Sequence, residues 1–260
     1  MDKHITIQDL IHRSIRIFSI STARYLILAG IAYLLFYVIW KEKWTHKKIQ
    51  ERFPDKTRIW FEFKYSMLNM LIFVITGLFV FYMSSLGYNK FYKHIADYGW
   101  GYFFISIIIM IFMHDTYFYW MHRFMHIKAL YPYVHKVHHQ SINPTPWAAF
   151  SFHPLEGFLE AAIVPIITLL IPVHPAALFI FILFSTMLNV LGHLGFEIYP
   201  KGFTKSKWMW WNNTSTHHNM HHHYFDYNYG LYFNIWDRLM GTNHPQYHET
   251  FEEMASRNKS

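Results

Sequence analysis

The sequence predicts an all-α integral membrane protein, with about four transmembrane helices and a histidine-rich helical cap on one side of the bilayer. Three observations point there. Of 260 residues, 53% are hydrophobic and 21% aromatic, and they concentrate in uncharged runs approaching the roughly 20 residues needed to cross a bilayer. The chain holds 20 histidines and no cysteine, and 14 of the histidines fall between His114 and His223. The formal net charge is +7, yet the basic residues sit beside apolar runs, where an anionic membrane surface accounts for them better than a nucleic acid. Residues 1–260 read as one membrane domain.

Residues 1–21 mix Ile and Leu with Lys3, His12, Arg13 and Arg16 and lack a secretory cleavage site, which predicts an amphipathic helix lying in the interface. Residues 25–40 are uncharged with aromatic ends and form the first predicted span. Residues 41–64 carry eight Lys/Arg against four acidic residues and break at Pro54-Asp55, so this loop is expected in the cytoplasm. A second span covers 65–86. After a turn with Gly87, Asn89 and Gly99, a third span covers 100–121 and runs straight into histidines. Two crossings from a cytoplasmic loop return the chain to the cytoplasm. Residues 158–194, interrupted by Pro165, Pro172 and Pro175, predict a membrane-embedded hairpin or re-entrant pair. The cytoplasmic cap is then 122–157 and 200–248, followed by a charged tail from Glu249.

His122 and His126 stand four apart, so on a helix they share a face, with Tyr119 and Asp115 one and two turns earlier. In HKVHH, the spacing of His135, His138 and His139 is expected to aim three rings in one direction. HHNMHH repeats this with His218, His221 and His222. A lone pair of histidines at this spacing is usually an accident; two copies of HxxHH after an HxxxH are a metal site. One zinc takes three or four protein ligands, so eight imidazoles predict two metals in a nearly all-nitrogen site, unlike the Glu-x-x-His carboxylate bundles. Imidazole suits Fe, Zn, Cu and Ni alike. His193, ending the last apolar run, is a candidate further ligand. Asp115 and Glu197 are expected to accept the outer N–H of bound imidazoles. His114 and His217 are out of phase and expected outside the ligand set. His153 and His223 have no evident role, Arg123 reads as a local ion-pair or lipid-phosphate contact, and His4, His12, His46, His94, His174, His244 and His248 look incidental. Without cysteine, thiolate sites and Fe–S clusters are excluded.

HDTYFYWMHRFMH, HKVHHQSINPTPWAAFSFHPLE and HHNMHHHYFDYNYGLYFNIWDRLMGT together resemble the fatty acid hydroxylase/sterol desaturase superfamily of integral-membrane di-iron enzymes, over about residues 115–245. The resemblance implies dioxygen activation at two irons held by His122, His126, His135, His138, His139, His218, His221 and His222. It implies hydroxylation or desaturation of a sterol, fatty acyl or related lipid, with electrons from a separate donor such as a ferredoxin or small haem protein. Zinc is a possible occupant of a purified sample. His193 is similar to an additional family ligand, and where some relatives place a second histidine one turn later this chain has Glu197. NPTPWAAFSFHPLE looks most like sterol desaturases and their bacterial relatives.

Two rivals fit less well. A membrane zinc hydrolase would want HExxH, which does not occur. A metal-binding or transport protein without redox catalysis would want ionisable residues in several spans, and the first two contain none. No nucleic-acid partner is expected. Short termini without targeting extensions, and an NKS end unlike an endoplasmic-reticulum retention signal, favour a bacterial inner membrane with a cytoplasmic active site over the endoplasmic reticulum.

Overall fold

The computed structural model describes residues 5–258, so Lys3, His4 and the last two residues of the NKS end lie outside the described residues. Among the described residues, the regular elements are helices, with only three isolated β-bridges. Four helical stretches are long and apolar enough to cross a membrane: Ile7–Ile39, Lys56–Ser85, Gly99–Met125 and Pro175–Gly192. Their outer faces expose large apolar side chains such as Ile31, Leu71, Phe104 and Phe179, as hydrocarbon-facing helices should.

The first helix corrects the sequence reading. Instead of an interfacial helix followed by a separate span, α1 (Ile7–Tyr33) starts at a Thr6/Asp9 capping box and continues without a break into a π-helical end at Leu34–Ile39. No Pro or Gly interrupts residues 21–25. Ser21 is buried and Arg24 lines a cavity, whereas His12, Arg13 and Arg16 nearer the start of the helix are exposed.

A short turn, α2 (Lys41–Trp44), leads to α3 (Lys56–Ser85), which is capped by Asp55 accepting from the Arg58 N–H at 2.8 Å. The next helix, α4 (Gly99–Met125), extends beyond the predicted span, so His122 lies in its last turn and His126 at its C-cap. The re-entrant expectation resolves into α7 (Pro154–Ala161), α8 (Ile163–Leu170) and α9 (Pro175–Gly192). Pro154 and Pro175 sit where a missing N–H costs nothing, at helix starts. His153 and His174 cap those helices, their Nδ1 atoms accepting from the Leu155 and Ala176 N–H groups. Both histidines therefore have structural tasks.

Buried clusters tie the bundle together: Tyr25, Ala29, Met70 and Val190 on one side, and Phe103, Met110, Ile167 and Phe181 on the other. Against the first cluster packs a short 3-10 turn, Pro146–Phe150, followed by irregular backbone. Buried irregular backbone needs partners, and the spans supply them. The Tyr25 hydroxyl and Ser66 hydroxyl both donate to the Trp147 carbonyl, at 2.9 and 2.7 Å. Asn69 donates to the Phe150 and Phe152 carbonyls, and Asn189 to that of Ala149. The cap consists of α5 (Tyr131–Val134), α6 (Lys136–His139), α10 (Ser215–Tyr224), α11 (Ile235–Leu239) and α12 (Tyr247–Ser256). The basic segment after α1 bonds the connection after α9, through Ile49 N–H to Gly195 O and Glu197 N–H to Lys47 O, and the cap itself, through the Gln50 amide donating to Asn219 Oδ1 on α10 at 2.9 Å.

Candidate metal centre

Two groups of imidazoles meet where α4, α6, α9 and α10 converge. His122, His126, His135, His139 and His221 form one, and His138, His193, His218 and His222 the other, with the ligand atoms of each group within 4.8 Å of one another. All eight motif histidines and His193 are thus brought together. The groups stand side by side, with ring centroids 5.3 Å apart for His135 and His138 and 5.1 Å for His139 and His222. The HxxHH motifs do not aim three rings one way as expected. His135 and His139 join the first group while His138 joins the second, and His218 and His222 join the second while His221 joins the first. Helical rotation of about 100° per residue explains this: a residue at i+4 lies about 40° to one side of i, and one at i+3 about 60° to the other.

The outer nitrogens are held by acceptors. Nδ1 of His122, His193 and His221 donates to the carbonyls of Tyr229, Asn189 and Tyr227 at 2.8, 2.8 and 2.6 Å. Nδ1 of His135 faces Glu156 Oε1 at 2.7 Å. In neutral rings this leaves Nε2 with its lone pair pointing inward. Burial keeps the cap imidazoles neutral: His193 is pushed down to about 4 and His126 to about 2, and His135, His138, His139, His218, His221 and His222 lie well below the ordinary range.

Facing lone pairs test the fit to a metal. Nε2 of His122 and of His135 are 3.0 Å apart although both rings spend their N–H outward, so neither can donate to the other. Similar approaches join His139 to His126 and His221, at 3.1 and 3.0 Å, and His218 to His193 and His222, at 2.9 and 3.1 Å. A metal–nitrogen bond of about 2.0–2.1 Å puts ligands about 2.9 Å apart at right angles and about 3.4 Å apart at the tetrahedral angle. The shorter spacings match right angles, while Nε2 of His193 and of His138 in the second group, 3.4 Å apart, match the tetrahedral angle, and the first group's five nitrogens exceed a tetrahedral zinc's four. The residues of both groups fit a bound metal ion.

The carboxylates are arranged differently from expectation. Asp115 Oδ1 accepts from the Tyr232 and Phe233 N–H groups at 2.9 and 3.1 Å, holding the strand-like segment after α10. Glu197 is taken up by Tyr199 N–H and by the N–H and hydroxyl of Thr216, so it fixes the first turn of α10 instead of touching an imidazole. Glu156, which does touch one, went unnoticed in the sequence. Its signal was a carboxylate in the apolar first turn of a helix, in HPLE. His114, bonded through Nδ1 to the Tyr232 hydroxyl at 2.8 Å, and His217, packed on Tyr247, belong to neither group.

Below the histidines lies a cavity of about 310 Å³, enclosed by α1, α3, α4 and α7–α9 and apolar over most of its wall. Phe118, Phe152, Glu160 and Asn189 border both this cavity and the narrow gap among the histidines. Its far end adjoins an outward groove between α1 and α9, where Ile17, Ser21, Arg24, Leu178 and Ile182 line both spaces.

The fatty acid hydroxylase family pattern matches residues 107–242, more than half of the chain. The chain belongs to the fatty acid hydroxylase family. Among curated relatives of this family member, it is 32% identical over 169 residues to "Lathosterol oxidase" of Rattus norvegicus, covering 64% of this chain and 55% of the relative. It is 28% identical over 189 residues to the Homo sapiens protein of that name, covering 72% and 62%. To "Delta(7)-sterol 5(6)-desaturase" of Leptosphaeria maculans it is 32% identical over 230 residues, covering 88% and 60%. The chain thus spans little more than half of the rat relative's length. No solved structure matches. These relatives come from animals and fungi and lend no support to the bacterial membrane expected from the termini.

Proposed function

We propose that this chain is a membrane oxidoreductase that uses dioxygen to hydroxylate or desaturate a C–H bond of a membrane lipid, sterol-like or fatty acyl, at two iron ions. The observation carrying this reading is the pair of neutral imidazole groups at the closed end of an apolar cavity. His122, His126, His135, His139 and His221 hold one ion, and His138, His193, His218 and His222 the other. Bound iron supplies the dioxygen activation and hydrogen abstraction that no side chain can perform.

The protein supplies position and exclusion. Glu156 and the Tyr229, Asn189 and Tyr227 carbonyls fix the rings that present lone pairs to the metals. The cavity walls hold an apolar body while Phe118 and Phe152 narrow the passage and keep water from the reacting carbon. Hydroxylation consumes one dioxygen, two electrons and two protons and yields the alcohol and one water; desaturation yields the alkene and two waters. Neither thiolate nor cluster is available to this cysteine-free chain, so the electrons come from a separate ferredoxin or small haem protein. The cap faces the cytoplasm in this reading, where such a donor can dock.

The test is metal analysis of detergent-purified protein from iron-supplemented cells, followed by a lipid screen with dioxygen and reductant. About two irons per chain are expected, with His138→Ala losing metal and activity, and products gain one oxygen or lose two hydrogens. One metal or none, or product formed without dioxygen, would overturn the proposal.

A further inference from the structure

Arg24 is a cation without a partner at one end of the cavity. It lies in the middle of a membrane-crossing helix and is half-buried. Its Nε is buried with no hydrogen-bond partner, and no carboxylate among the described residues pairs with it. Arginine does not shed its charge, and an unpaired charge within a membrane protein is costly enough to mark a site. The other ionisable groups on the cavity wall offer no explanation for it. Glu160 is an acid at the histidine end, and His114 is joined to the Tyr232 hydroxyl.

Position indicates what the missing partner is. Arg24 lines both the cavity and the groove between α1 and α9, whose mouth carries the exposed Ile20 and Phe179. A lipid entering sideways from the bilayer passes the guanidinium before its leading part reaches Phe118 and Phe152. The shared cavity then leads past Thr186 and Asn189 of α9 to Phe118 and Phe152 at the imidazole end.

We infer that Arg24 is the head-group site of this cavity, and that its ligand is a single-chain lipid with an oxyanion head, carboxylate or phosphate monoester, its tail directed to the histidines. This rests on the lipid-oxidising reading above and narrows its substrate. The fork of the guanidinium matches two oxyanion oxygens, and the bond would neutralise the charge.

Binding tests this without turnover. The full chain in neutral phosphatidylcholine nanodiscs is titrated with labelled palmitate, hexadecyl phosphate and methyl palmitate, using wild type, Arg24→Gln, Arg24→Lys and His138→Ala. A charged probe should bind at least about tenfold more tightly than the neutral ester, and the tighter of the two names the head. Arg24→Gln should erase that preference and Arg24→Lys should recover part of it. Equal binding of the ester, or a preference surviving in Arg24→Gln, overturns the inference. Charge preference retained in His138→Ala supports the head-group site even where metal analysis defeats the oxidase reading.

Discussion

Each of His122, His135, His193 and His221 has one nitrogen committed to the protein and one facing inward, and that division sets the chemistry. For His135 the commitment is to a carboxylate, Glu156, 2.7 Å away and wholly buried. Outer partners of this kind typically contribute 10–100-fold to metal affinity. Glu156→Leu is expected to weaken metal binding by roughly that factor, and Glu156→Gln, which keeps an acceptor, by less. Chelator competition measures both; an unchanged affinity in Glu156→Leu would remove its orienting role. The imidazoles also make the metal-free protein sensitive to acid. In an unfolded chain they take protons near pH 6.5, whereas burial holds His193 at about 4 and His126 at about 2 in the fold. Between those values the unfolded imidazoles bind more protons, so their contribution to stability is full above about pH 6.5 and falls as pH drops below it. The melting temperature of the metal-free protein should be level from pH 8 to 7 and decline from 6.5 toward 4. A level profile down to pH 4.5 would contradict neutral, buried rings.

Between residue and fold, the elements act as mounts. Gly157 on α7 touches α3 so closely that a Cβ would stand 1.8 Å from Asn69 Oδ1. Asn69 is not free to retreat, because its amide also holds the Phe150 and Phe152 carbonyls. Gly157→Ala should therefore destabilise the protein by about 1–3 kcal/mol through overpacking, despite alanine's better helix propensity. Thermal unfolding in detergent would show it, and an unchanged or raised melting point would mean that α7 and α3 can separate freely. This mount also carries Glu156, one residue away. The histidines themselves were legible because periodic spacing survives in sequence, and so was their division into two groups, since eight rings exceed what one ion can use. Their partition was not read, though helical phase contains it. The roles of Glu197 and Asp115 were illegible for a different reason. Each carboxylate binds at least one backbone N–H distant in sequence, and nothing in a residue's identity says whether its partner is a ring or a peptide.

At the scale of the molecule, four apolar stretches announced the membrane class, while the join between the first two segments passes buried Ser21 and cavity-lining Arg24, whose surroundings hydropathy does not register. The same architecture links charge to orientation. The segment after α1 carries most of the basic residues of 41–64 and is bonded to the cap through Gln50 and Asn219. Basic segment and histidines therefore share one end of the bundle, and the excess of Lys and Arg should hold that end in the cytoplasm. The turn between α3 and α4, with its exposed Tyr88, lies at the opposite end of these two helices and should face the other side of the membrane. Because the chain has no cysteine, single cysteines report position without background. In intact cells a membrane-impermeant maleimide should label Tyr88→Cys, whereas Lys136→Cys, exposed on α6, should react only after the cells are opened. The opposite pattern would put the metal centre outside the cytoplasm and away from soluble electron donors. Labelling of both from outside would mean that α3 and α4 do not cross.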